Sequence, residues 1–160
     1  MNGWWGNAAC AICYEGLAWV TGAAVMAGGS MPEPRTLILA GLYSLGAHGI
    51  MTLNDFKSVN GDRQLGIGSL PVRLGVRNAA WVASAVMIAA QVAVVICLIV
   101  WGHLPYAIAV LALSIVQLVL MRTFIADPVK RAVWYSGLGV TLYVIGMLVS
   151  AFALHNATVS

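Results

Sequence analysis

Between Leu53 and Asn78 the chain reads LNDFKSVNGDRQLGIGSLPVRLGVRN, and most of its chemistry is concentrated there. The whole sequence has only eight Lys and Arg and five Asp and Glu, and Asp55, Lys57, Asp62, Arg63, Arg73 and Arg77 all fall in this stretch. Asp55, Asp62 and the Asn54 amide offer hard oxygen ligands. These suit Mg²⁺, which keeps several waters and is usually held by one or two carboxylates plus phosphate oxygens. Lys57 and Arg63 stand beside them as donors to phosphate oxygens. Acids for a metal, interleaved with cations for phosphate, are what a metal-bound diphosphate requires. The plainer alternative is a solvated loop with surface ion pairs. Gly66-Ile67-Gly68 follows no strand and lacks the rest of a dinucleotide fingerprint.

Asp55 and Asp62 are seven residues apart. On one continuous helix they would share a face but stand about 10 Å apart along the axis. Ligand oxygens must lie about 2.1 Å from a single Mg²⁺. The spacing therefore favours a bend near Asn60-Gly61; otherwise one acid acts through water or on a second group.

The elements that carry these residues are apolar. The chain of 160 residues is 61% hydrophobic and 8% charged, with a mean hydropathy of +0.92. A soluble domain is about 25% charged, so a bilayer is the better solvent. The basic residues form no long run or aromatic-interleaved patch, which argues against nucleic acid as a partner. Five apolar segments, near residues 8–27, 36–53, 79–101, 104–124 and 135–154, are each long enough to cross a hydrocarbon core. Backbone groups unsatisfied by water require helices there. The expectation is an all-α bundle of about five transmembrane helices, one domain over residues 1–160, with residues 54–78 as a polar active-site loop.

Lys57, Arg63, Arg73, Arg77, Arg122, Lys130 and Arg131 fall on the loop side of such a bundle, and only Arg35 on the other. By the positive-inside rule the loop and the N-terminus are cytoplasmic and the C-terminus is not. No Lys or Arg precedes the first apolar run, which speaks against a signal peptide. Trp4, Trp5, Trp101 and Tyr106 read as interfacial anchors. Cys10 and Cys13 spell C-x-x-C without a βαβ setting and, with Cys97, read as small apolar helix residues. Gln91 and Gln117 read as interhelical hydrogen-bonding residues. Glu15 and His48 are ionisable residues inside predicted spans, which makes them functional candidates. The plain reading of each is a partner on a neighbouring helix.

NDFKSVNGDRQLGIGSLPVRLG resembles the second aspartate-rich motif of the UbiA superfamily of membrane prenyltransferases. It is most similar to the form found in the chlorophyll and bacteriochlorophyll synthase branch, N-D-F-K-S-(I/V)-E-G-D-R-x-x-G-x-x-S-L-P-V. The match runs through NDFKSV, GDR, Gly66 and SLPV. NGWWGNAACAICYEGLAWVTGAAV and WYSGLGVTLYVIGMLVSAFAL also resemble that branch, so the similarity extends over essentially the whole chain. Asn60 departs from the usual Glu and removes one possible metal ligand. Members have nine helices and a first motif of N-D-x-x-D type, which does not occur here. The five segments correspond to helices five to nine, and the chain looks like the C-terminal part of a longer protein.

The resemblance implies a Mg²⁺-dependent transfer of a geranylgeranyl or phytyl group from its diphosphate to the propionate of a (bacterio)chlorophyllide. It would take place in a bacterial inner or intracytoplasmic membrane. Asp55 and Asp62 are the implied catalytic acids and, with Asn54, the metal ligands. Asn54, Lys57, Arg63 and Ser69 are the implied diphosphate contacts. His48, seven residues before Asp55, is a candidate for placing the pigment's carboxylate or ligating its central magnesium. Glu15 and Tyr14 are candidate tail or pigment contacts. The implied partners are the two substrates, the bilayer and an N-terminal half carrying the first motif, without which the chain is expected to be inactive. The rival readings are a UbiA enzyme acting on a quinone or haem precursor, and a non-catalytic pigment-binding or assembly protein.

Overall fold

The computed structural model describes residues 3–159, with side chains through 156. Six helices follow in order: α1 (Gly3–Met26), α2 (Pro34–Gln64), α3 (Leu70–Leu74), α4 (Val76–Val100), α5 (Leu104–Ala126) and α6 (Pro128–Val159). All but α3 are long and apolar enough to cross a membrane, and the described residues contain no strand. Prolines open α2, α5 and α6 within their first two positions, where a missing N–H costs nothing.

The stretch expected to be a loop is mostly helix. α2 continues eleven residues past Leu53, without interruption, through Asn60 and Gly61, so the bend favoured from the acid spacing does not occur. Charge alone does not end a helix, and here the apolar face persists: Phe56 and Val59 are buried. Polar pairs support the opposite face, with Lys57 Nζ donating to Asn54 Oδ1 at 3.2 Å and Ser58 Oγ to Asp62 Oδ2 at 2.9 Å. The true stop is Gly66, at φ +67°, a conformation costly for any residue with a Cβ. The Ile67 N–H bonds back to the Asp62 carbonyl at 2.8 Å, the six-to-one closure of a glycine-ended helix. Residues 65–69 then turn into α3, and Gly75 separates α3 from α4.

α2 is the central element. In its most apolar stretch 56% of residues are buried, against 6% for α1, which lies on the outside of the bundle. α2 crosses its neighbours through small residues, as membrane helices do where dispersion and close backbone approach replace the hydrophobic effect. A Cβ on Gly49 would stand 2.5 Å from the Ala83 carbonyl oxygen of α4, and one on Gly46 would overlap the Tyr143 hydroxyl of α6. Buried hydroxyls join the helices: Tyr43 to Ser150 at 2.7 Å, and Tyr143 donating to the Tyr43 carbonyl at 3.0 Å. Gln117 donates to Tyr135 at 3.1 Å across α5 and α6, as expected. Gln91, expected to do likewise, is fully buried with neither amide atom partnered among the described residues. The three cysteines are free, with Cys10 and Cys13 exposed on α1.

Gly49→Ala is expected to lower stability by about 1–3 kcal/mol, because the obstacle is α4 backbone and cannot rotate away. Gly137→Ala, whose Cβ would meet nothing within 4 Å, is expected to be neutral. Thermal unfolding in detergent compares the two.

Candidate functional site at the α1–α2 mouth

The start of α1 docks onto the end of α2 and the turn after it. The Gly3 N–H donates to the Gly68 carbonyl at 2.9 Å. A Cβ on Gly3 would stand 2.8 Å from the Leu70 nitrogen and the Ser69 Cα, so the approach depends on glycine. One face of α2 then meets α1 along its polar stripe. Ser44, His48, Thr52, Asp55 and Asp62 recur on that face at helical spacing.

Asp55 is half-buried in this contact. Its Oδ2 accepts from Asn7 Nδ2 at 3.0 Å, and the Leu70 backbone N–H also donates to its carboxylate. The same Asn7 nitrogen lies 3.2 Å from Thr52 Oγ1, and Thr52 donates to the His48 carbonyl at 2.9 Å. His48 is buried. Its ring lies 4.5 Å from that of Trp4, and its Nε2 is 3.2 Å from the Trp4 carbonyl, which makes Nε2 the donor; Nδ1 has no partner among the described residues. Trp4, expected only to anchor the chain at the interface, thus forms part of the site, whereas Trp5 is largely exposed.

Asp62 is half-buried one to two turns beyond Asp55, with Ser58 as its donor. Asn54, Lys57 and Arg63 are exposed around the mouth. No Lys or Arg forms an ion pair with Asp55 or Asp62 among the described residues, whose one salt bridge is Lys130–Asp127 at 3.6 Å. Ser69 is buried at the start of α3, and its hydroxyl has no partner among the described residues. Arg73 borders a hollow of about 430 Å³ with Trp4, Trp5, Leu70 and Leu74.

A groove of about 490 Å³ runs from this mouth between α1 and α2. Trp4 and His48 close its polar end, and Ala8, Gly16, Leu37 and Leu45 contribute apolar wall. The three candidate substrate contacts do not converge. Only His48 lines this groove. Glu15 borders a separate hollow of about 260 Å³ against Trp19 and the α6 residues Val144, Met147 and Leu148. Tyr14 is 70% exposed on the outer face of α1.

The geometry bears directly on a metal. With α2 unbroken, the two carboxylates are about 10 Å apart along the axis. Among the described residues no three His, Cys, Asp or Glu side chains gather to hold one ion. The chain does not build a two-acid cage, but each acid keeps lone pairs free for an ion completed by water and phosphate oxygens. That was the alternative to a bend. Asn7, Thr52 and Trp4 were not recognised from sequence as site residues. The available signal was an Asn close to the start of an otherwise apolar span, a position where a polar side chain needs a partner.

Two acids without a Lys or Arg ion pair among the described residues and several exposed cations thus stand near one end of an apolar groove in an all-α membrane bundle. The chain belongs to the UbiA prenyltransferase family, whose model matches residues 2–138. It is 51% identical over 158 residues to the bacteriochlorophyll synthase 33 kDa chain of Cereibacter sphaeroides, covering 99% of this chain and 52% of that protein. It is 46% identical over 160 residues to the protein of the same name from Rhodobacter capsulatus, covering 99% and 53%. It is 41% identical over 156 residues to the chloroplastic chlorophyll synthase of Avena sativa, covering 97% and 40%. The chain spans about half the length, or less, of these relatives. No solved structure matches it significantly.

Thr52 is fully buried and serves both as acceptor for Asn7 and as donor to the α2 backbone. Thr52→Val preserves shape and removes both bonds. It is expected to cost about 1 kcal/mol, read as a lowered unfolding midpoint in detergent.

Proposed function

We propose that this chain forms the part of a prenyltransferase active site that carries the second acidic motif, and that the enzyme esterifies the propionate of a (bacterio)chlorophyllide with geranylgeranyl or phytyl diphosphate. The observation that carries the reading is Asp55, an acid with no Lys or Arg ion pair among the described residues, about two helical turns beyond the His48 that lines an apolar groove. The names of the relatives supply the pigment. Asp55 and Asp62, with Asn54 beside them, would each help hold Mg²⁺. Bound there, the metal would neutralise the charge that develops on the departing diphosphate.

The chain's own residues do the rest. Lys57 and Arg63 extend long cationic side chains from the mouth, where they meet diphosphate oxygens. Ser69 contributes a hydroxyl at the wall behind Asp55. The groove accepts the prenyl tail and keeps water from its allylic carbon. The C–O bond to diphosphate breaks with its electron pair on the leaving group. The pigment's carboxylate oxygen forms the new bond to that carbon, giving an ester and diphosphate. The excess of Lys and Arg at the acid-bearing end supports a cytoplasmic position for it and for the start of α1, with the end of α6 on the other side. The opposing acids would come from the part of the fold that the relatives have and this chain does not span.

The test is to co-express the chain with the N-terminal half of the Cereibacter sphaeroides relative. Geranylgeranyl diphosphate and bacteriochlorophyllide are supplied with Mg²⁺, and ester is measured by chromatography. Asp55→Ala and Asp62→Ala are each expected to reduce the rate by about 100-fold or more, the scale on which loss of one preorganised electrostatic group is felt. The 160-residue chain alone is expected to form no ester. Full rate in both variants would refute the role of the acids, and turnover by the chain alone would refute the shared site.

A further inference from the structure

We infer that Asn7 is a positioning residue for Asp55, an uncharged brace that fixes the carboxylate while leaving its charge available to a divalent cation. The inference rests on the reading of Asp55 as a metal-binding acid.

The amide's orientation follows from its surroundings. Thr52 spends its hydroxyl proton on the His48 carbonyl at 2.9 Å, so toward Asn7 it presents only an acceptor. The Asp55 carboxylate is likewise an acceptor. Both must be met by a donor, and Asn7 Nδ2 has two N–H bonds for two acceptors, at 3.2 Å and 3.0 Å. A flipped amide would face the carboxylate with its own oxygen. One close backbone approach holds the start of α1 in place for this: Gly3 donates to the Gly68 carbonyl and, having no Cβ, admits the backbone of residues 68–70.

The choice of an amide matters chemically. An Arg or Lys in the same place would pair with Asp55 and cancel the charge that attracts a cation. Lys57, two residues away, bonds to Asn54 instead. Asn7 and the Leu70 N–H are neutral donors, so they stabilise and orient the carboxylate without cancelling its net charge. Removing a partner of this kind from behind a metal ligand typically weakens metal binding by about 10–100-fold.

The test uses the chain co-expressed with the N-terminal half of the Cereibacter sphaeroides relative. Mn²⁺ serves as the probe ion and its binding is read by EPR in the presence of an unreactive prenyl diphosphate analogue. Asn7→Leu, close in shape but without a donor, is expected to weaken Mn²⁺ binding by about 10-fold or more. Asn7→Gln, which restores the donor one methylene further out, is expected to recover part of the loss. In an Asp55→Asn background Asn7→Leu is expected to change affinity by less than about twofold, because the two residues then act as one unit. If Asp55→Asn weakens binding and Asn7→Leu does not, the brace is refuted and the role of the acid stands. An undiminished effect of Asn7→Leu in the Asp55→Asn background would also refute it, since the effect would then bypass Asp55. Unchanged Mn²⁺ binding in Asp55→Asn alone would overturn the reading of the acid and the brace with it.

Discussion

The bond between Asn7 and Asp55 ties the least buried long helix to the most buried one. α2 is anchored by α4 and α6 through glycine crossings and buried hydroxyls. α1 has little core of its own. Its start is placed by Gly3 on Gly68, Trp4 on His48, and Asn7 on Thr52 and Asp55, and further along Gly16 lies against Ser44 and Trp19 stacks on Tyr43. The groove exists because of that placement, since its two walls are α1 and α2. A half-buried acid on α2 and the α1 wall beside it are therefore joined through one side chain.

A division of labour follows along α2. Its first two-thirds has the small and apolar residues of a packed span. Its last eleven residues carry charge on one side and Phe56 and Val59 on the other, so the helix leaves the hydrocarbon without leaving the protein. At about 1.5 Å per residue its 31 residues reach about 46 Å, well beyond a hydrocarbon core of about 30 Å. The acids are thus displayed on a continuous helix rather than on a loop, which fixes their separation.

The sequence was informative where the physics is local. Five runs of apolar residues of spanning length became five long helices. The acids and cations of residues 54–63 were visible by type. What failed was the end of α2. A cluster of charge looked like a loop, but the helix runs on through Asn60 and Gly61 and stops only before Gly66, where the backbone takes a positive φ. The Asn7 brace was hidden for a different reason. It joins residues 48 apart, and neither local pattern indicates the other. Gln91, without the expected partner among the described residues, shows the same limit: its neighbours are set by how helices cross, which periodicity alone does not give.

α1 is not one uniform helix. Across Ile12–Leu17 it widens into a π turn that carries one residue more than an α turn. Ala11 is buried, and four residues on an ordinary α-helix would return Glu15 to the same side. The additional residue shifts the phase, so Gly16 arrives there instead, close enough that its Cβ would be 3.1 Å from Ser44 Oγ. Glu15 is turned toward α6 and Trp19. The inserted residue works as a frame change: upstream the helix addresses α2 with an amide, downstream with a glycine, and a carboxylate that would have stood in the apolar wall is moved out of it. Removal of Gly16 would close the turn to an ordinary α turn and bring Glu15, four residues after Ala11, back into the wall.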